Sequence, residues 1–204
     1  MTVTGATTHS KLTFRDFLEQ LPDEEGDYEL VDRKFVRKRP TRRHETIAEY
    51  IADELKAEIR RLSLNYWVSG RVVIRTTTED GTEQGRHPDI TVVNKQLWDS
   101  QPMAYSALLE PPQMAIEVVS INWEDDYVDK LGEYQRLGIP EYWIVDYMAI
   151  ASRSYLGKPK ELTVFVCSLD DNGTYRMNPY RGSDRIVSPT FPKLAVSVES
   201  IFNH

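Results

Sequence analysis

The chain has one cysteine, no repeat or low-complexity tract, and no apolar run near the roughly 18 residues that a membrane-spanning helix needs. A lone thiol pairs only between chains. Cys167 lies in the apolar-rich Leu162-Thr163-Val164-Phe165-Val166-Cys167, where it reads as a small buried hydrophobe. The polar stretch Met1 to Lys11 lacks the apolar centre of a secretory signal, so a cytoplasmic location is expected. Positive charge is also in deficit: the formal net charge is −7 and the pI is near 5.2. That balance excludes a protein that coats nucleic acid through a basic surface, but not an enzyme whose acidic site is neutralised by a metal. The basic residues cluster locally, as Arg33, Lys34, Arg37, Lys38, Arg39, Arg42 and Arg43, which suits either a solvated turn or a phosphate-contacting strip.

With 204 residues, 40% hydrophobic and 28% charged, the chain suffices for one core. A single domain over residues 11–204 is expected, after a disordered stretch 1–10. Leu12 to Leu18 has the apolar spacing of a short helix ending before Pro22. Tyr28 to Asp32 and Lys34 to Arg37 read as a hairpin turning at Asp32-Arg33 without the glycine such turns prefer. Ile47, Ile51, Leu55, Ile59 and Leu62 recur at three and four residues, marking a long amphipathic helix from Thr41.

Strands are expected over Tyr66–Val68, Arg71–Thr76 and His87–Val93, the last two separated by a polar loop Glu79–Arg86. A loop Ser100–Pro112 leads to the strand Met114–Val119. Asn122 is placed to cap the next helix, with Asp125 at capping-box distance. That helix carries Tyr127, Leu131, Tyr134 and Leu137 on one face and stops at Gly138. Glu141–Asp146 then forms a strand that a compact right-handed crossover leaves parallel to Met114–Val119. Leu162–Ser168 and Gly173–Met177 make a terminal hairpin. The order is mixed α/β.

One carboxylate stands where the pattern is otherwise apolar: Glu117, inside Met114-Ala115-Ile116-Glu117-Val118-Val119. Such a run reads as a central strand buried on both faces. An unpartnered buried carboxylate costs several kcal/mol or must protonate, so a cation, a donor cluster or a metal has to stand beside it. Asp89 opens the preceding long strand and Lys130 lies on the helix that follows. Two carboxylates held together at 4 Å repel by about 4 kcal/mol at an effective dielectric near 20, and a divalent cation turns that repulsion into attraction. An ammonium beside the metal orients a water or steadies developing charge, and this combination suits phosphodiester hydrolysis.

Pro88-Asp89 followed by Glu117-Val118-Val119 resembles the PD-(D/E)XK nuclease superfamily, whose metal site uses an Asp, a Glu and a Lys. The superfamily lysine follows the Glu by two residues, where this chain has Val119. One branch moves it to the next helix, and from Tyr28 to Phe202 the chain resembles that branch, the Uma family of restriction-endonuclease-like proteins. Tyr28-Glu29-Leu30-Val31-Asp32, His44, His87-Pro88-Asp89, Ile116-Glu117-Val118-Val119-Ser120, Asp126 with Lys130, Tyr134, Gly138 to Asp146 and Phe191-Pro192-Lys193-Leu194 follow its pattern in order. Ser120-Ile121-Asn122 lacks the family's proline, and Arg33 stands in place of its hairpin glycine.

The resemblance implies a restriction-endonuclease-like core, a central mixed β-sheet flanked by helices. It also implies a Mg²⁺- or Mn²⁺-dependent endonuclease cutting DNA, with Asp89, Glu117 and the Val118 carbonyl as metal ligands and Lys130 as the catalytic cation. Glu29 and Glu45 compete for an additional acidic position. His44 is either a ligand-orienting group or a surface residue, Tyr134 either a partner of the site or core, and His87 structural. The Asp126–Lys130 spacing also suits a plain surface ion pair, worth only about 0.3–0.5 kcal/mol. RNA as substrate, and a non-catalytic module that binds nucleic acid or a protein partner, are the other readings. A homodimer suits an enzyme that cuts two strands.

Overall fold

A computed structural model describes residues 12–22 and 26–204; the disorder expected for residues 1–10 falls outside them. Helix α1 (Phe14–Glu19) starts at a capping box in which Asp16 N donates to the Thr13 hydroxyl and Thr13 N to the Asp16 carboxylate. Its Phe14 and Phe17 bury against Tyr28 and Leu30 of β1 (Tyr28–Val31) and Phe35 of β2 (Lys34–Arg37). The β1–β2 turn is the expected one, with both Asp32 (φ 48°) and Arg33 (φ 64°) in the left-handed region. A two-residue hairpin needs that geometry to match strand twist.

Helix α2 (Arg42–Leu62) buries the apolar stripe Ile47, Ile51 and Leu55 read from its periodicity. Four strands follow: β3 (Tyr66–Ser69), β4 (Val73–Thr77), β5 (Glu83–Arg86) and β6 (Ile90–Asn94). The expected loop Glu79–Arg86 is therefore corrected, because its last four residues pair with β4, Ile74 opposite Arg86. Glu83-Gln84-Gly85-Arg86 carries no apolar residue, so period-2 patterning is blind to it. After α3 (Lys95–Asp99), the loop Ser100–Pro112 contains a two-residue strand, β7 (Ala107–Leu108), parallel to β4.

Strand β8 (Met114–Val118) is buried along its length, Glu117 included, as a run otherwise apolar on both faces required. The helix after it has no side-chain cap: the expected Asn122–Asp125 box does not form, and the Asp125 carboxylate reaches Arg86 instead, at 3.1 Å. A π-helical turn over Asp125–Asp129 precedes α4 (Lys130–Leu137), which ends at Gly138 in the left-handed conformation. Next come β9 (Glu141–Asp146), parallel to β8 as expected, α5 (Arg153–Leu156), the hairpin β10 (Thr163–Leu169) and β11 (Tyr175–Arg181), and α6 (Val198–Phe202). Cys167 is buried and unpaired in β10.

The strands sort into two mixed sheets, β2-β1-β5-β4-β7 and β11-β10-β9-β8-β6-β3. One face of the six-stranded sheet packs Ile116, Val118, Trp143 and Val145 against α2 and α6. The other packs Ala115, Val119, Tyr142 and Ile144 against Tyr127 and Tyr134, and Ile74 of β4 joins the same cluster. Helix α4 thus bridges the two sheets. The link His87-Pro88-Asp89 passes from β5 in one sheet to β6 in the other.

Candidate active site

β6 and β8 are antiparallel with Ile90 opposite Ile116, so one step further Asp89 stands opposite Glu117. Alternation along β8 directs Glu117 to the face of Ala115 and Val119, where Tyr134 packs. Like charges directly opposite one another destabilise a sheet unless counter-charge is supplied. Here it comes from two lysines. Lys130 Nζ lies 3.1 Å from Glu117 Oε2 and 3.1 Å from Asp126 Oδ1, with Glu29 Oε1 at 3.6 Å. Lys38 Nζ donates to Asp89 Oδ1 at 2.7 Å and to the His87 carbonyl at 2.7 Å, and lies 3.9 Å from Glu117 Oε2.

Each carboxylate has further donors. Asp89 Oδ2 accepts from Val118 N at 2.7 Å, which ties the aspartate to the strand that carries the glutamate. His44 Nε2 is 3.0 Å from the same oxygen, an ion-pair contact whose direction falls short of a hydrogen bond. Its helix begins at Thr41, whose hydroxyl accepts from His44 N, so the cap itself sets the position of the imidazole. Tyr134 OH donates to Glu117 Oε1 at 2.7 Å. Glu29 accepts from His87 N at 3.0 Å and faces Arg86 at 3.5 Å. Arg86 in turn grips Glu133 through Nε at 2.8 Å and Nη2 at 2.6 Å, and Thr76 donates to the same carboxylate. These groups sit behind a cleft of about 420 Å³ whose rim includes Arg37, Arg39, Ile121 and Tyr147.

The electrostatics divide the acids. Burial alone would raise Asp89, but Lys38, His44 and Lys130 outweigh it and hold the carboxyl far below the usual range. Glu29 behaves likewise: burial is overcome by Lys130, Lys38 and Arg86, and its pKa falls to about 2. For Glu117 burial wins over the pull of Lys130 and Lys38, helped by the charges of Asp89 and Asp126, and the carboxyl is pushed up to about 8. Burial opposes the charge on both lysines, yet the surrounding carboxylates raise both. Two adjacent carboxyls with widely separated proton affinities are a feature of working sites.

Among the residues singled out in the sequence, Asp89, Glu117, Lys130, Glu29, His44 and Tyr134 converge, and Val118 lines the cleft. Glu45 does not: it is exposed in the first turn of α2 and faces a neighbouring cleft. Asp126 and Lys130 are buried rather than a surface pair. The π turn between them, which closes with Lys130 N donating to the Asp125 carbonyl, widens the helix where Lys130 leaves it. Lys38 and Arg86 went unrecognised. Lys38 is one of a run of similar basic residues, and Arg86 sits in a stretch with no apolar signal.

Among the described residues no three His, Cys, Asp or Glu side chains form a ready metal cage. Two carboxylates and a carbonyl nevertheless fit Mg²⁺ or Mn²⁺, which take hard oxygen donors and keep several waters. The Lys38 ammonium against both acids is itself a stand-in cation for that position. No helix among the described residues is long and apolar enough to cross a membrane.

The sequence model of the Uma2 family, described as "Putative restriction endonuclease", matches residues 14–199. The chain belongs to the Uma2 family. Its fold is similar to that in the crystal structure of a "putative nuclease belonging to DUF820" from Anabaena variabilis ATCC 29413, with a TM-score of 0.68 over 94% of this chain and 98% of that one, at 20% identity. At that identity the likeness concerns the fold. No curated protein matches the chain. The Uma2 match spans every residue of the cluster, from Glu29 on β1 to Tyr134 on α4, and it makes nuclease the class of activity that the family description supports.

Proposed function

We propose that this Uma2 chain is a divalent-metal-dependent endonuclease that hydrolyses DNA phosphodiester bonds in the cleft over Asp89 and Glu117. The observation that carries the reading is Lys130: a lysine on the helix after the glutamate strand, 4% exposed, with its ammonium 3.1 Å from Glu117. A buried lysine among carboxylates on an open cleft has little reason to be there for stability alone, since burial of such ion pairs is close to neutral. Asp89, Glu117 and the Val118 carbonyl would hold Mg²⁺ or Mn²⁺. Bound there, the ion would polarise a phosphoryl oxygen and lower the pKa of a water.

The chain's own residues supply the rest. Tyr134 and Lys130 fix the Glu117 carboxylate from two sides, and Val118 N fixes Asp89. Lys130 stands where its charge can orient the attacking water and offset the negative charge that builds on phosphorus. His44, 3.0 Å from Asp89, lines the cleft where a phosphate or water would enter. Arg37 and Arg39 at the rim suit backbone phosphates on an otherwise acidic protein. A homodimer would set two such sites on two strands, which sedimentation at varied concentration tests.

The reading is tested by titrating Mn²⁺ calorimetrically into the native chain, Asp89→Ala and Glu117→Ala, then assaying supercoiled DNA for nicking with the same proteins. Saturable binding and metal-dependent nicking, both lost in the variants, are expected. Binding that survives in both variants would remove the site.

One observation favours a second reading, a non-catalytic nucleic-acid-binding module: the cation position between the acids is taken by Lys38. That reading predicts DNA binding without metal-dependent turnover.

A further inference from the structure

The Asp89–Glu117 pair is already neutralised twice, by Lys130 from the helix side and by Lys38 from the hairpin side. The two lysines differ in how they are held. Lys130 is enclosed by Glu117, Asp126 and Glu29. Lys38 sits just past the end of β2, its side chain 17% exposed, and its ammonium is held at 2.7 Å by Asp89 and the His87 carbonyl, with Glu117 farther off at 3.9 Å. A divalent ion entering between Asp89 and Glu117 would meet an ammonium 2.7 Å from one of its ligands. Both cations cannot share those oxygens.

A second place is open to Lys38. Besides the Glu117 cleft, it lines a polar cleft of about 410 Å³ that shares Asp89 with the first and carries Asp27, Glu45 and Glu49 alongside Lys56 and Arg71. A four-carbon stem on the edge of both clefts lets the ammonium pass from one acidic set to the other.

Building on the metal-site reading above, we propose that Lys38 is a resident counter-ion of the site, an internal cation that holds Asp89 and Glu117 together without metal and is displaced into the Glu45–Glu49 cleft when a divalent ion binds. Lys38 is thus a positioning residue that sets metal affinity. The apparent dissociation constant is the intrinsic one divided by the fraction of molecules whose ammonium has left the site.

The test uses the full chain and Mn²⁺ alone as probe. Lys38→Met and Lys38→Gln are compared with the native protein by calorimetry and by thermal unfolding with and without Mn²⁺. Tenfold or tighter Mn²⁺ binding in both variants is expected. A lower melting temperature without metal and a larger rise on adding it should accompany this, since the unpaired acids then wait for the ion. Unchanged or weaker Mn²⁺ binding in variants that melt cooperatively would overturn the role of Lys38 while leaving the metal site standing. Absence of Mn²⁺ binding from native and variants alike would overturn both. Glu45→Gln with Glu49→Gln gives an independent arm: loss of the receiving acids should weaken Mn²⁺ binding severalfold, although neither residue touches Asp89 or Glu117, and unchanged affinity counts against the displacement.

Discussion

At the scale of single residues, the site is a set of charges whose proton affinities are pulled apart by burial and by the lysines. Glu117, pushed up to about 8 from 4.5, binds its proton more tightly folded than unfolded. Its contribution to stability is therefore full below about pH 4.5 and is lost as pH rises through about 8. Glu29, lowered from 4.5 to about 2, has the opposite sign: its contribution is full above about 4.5 and is lost as pH falls toward 2. The metal-free chain should accordingly lose stability on the alkaline side through Glu117 and on the acid side through Glu29. Urea unfolding between about pH 2 and 9 checks this: Glu117→Gln should flatten the alkaline limb and keep the acid one, and an unchanged alkaline limb would show that Glu117 is not its source. Lys130→Met should lower metal-dependent cleavage by about 10²–10³-fold, the scale of removing one preorganised charge stabiliser. A cleavage assay on a variant with a cooperative melt reads that loss.

At the scale of elements, short stretches with special geometry aim the side chains. The π turn Asp125–Asp129 brings both Asp126 and Lys130 into the buried cluster. In the loop after β3, a Cβ on Gly70 would meet the Asp89 carbonyl oxygen at 2.6 Å, and a backbone atom cannot swing aside. Gly70→Ala should therefore push the Asp89 segment out of line with Glu117 and weaken Mn²⁺ binding tenfold or more; native-like affinity would show that the segment can shift freely. The β1–β2 turn works the other way. Arg33 holds a positive φ that favours glycine, so Arg33→Gly should stabilise the chain by about 1 kcal/mol in urea unfolding.

At the scale of the whole molecule, the two sheets are joined where Arg86 of β5 meets Glu133 and Asp125 at the α4 side. Removing one partner of a buried ion pair leaves the other uncompensated, so Arg86→Ala should cost about 3–5 kcal/mol. A loss under about 1 kcal/mol would mean that water or another cation replaces the guanidinium. The surface charge makes a further demand. With a net charge of −7, attraction for nucleic acid has to come from the local strip near the cleft rather than from the overall field. DNA affinity should fall steeply with salt, and Arg39→Ala should reduce the slope of log affinity against log salt by about 1; an unchanged slope would place the contact elsewhere.

The amino-acid sequence alone determined the mixed α/β class, the long amphipathic α2, the parallel β8 and β9, and Glu117 as a carboxylate in need of partners. Each follows from local periodicity or from the cost of burying a charge, properties carried within a few consecutive residues. The pairing of Asp89 with Glu117 was visible as order along the chain but became a distance only through the β6–β8 register. That Glu29 and not Glu45 lies beside Lys130 waited on the meeting of two sheets, because both are acids on plausible elements and only packing buries one of them. Lys38 was decided by tertiary structure alone: among neighbouring basic side chains, the one that becomes a counter-ion is the one whose stem the end of β2 points between Asp89 and Glu117.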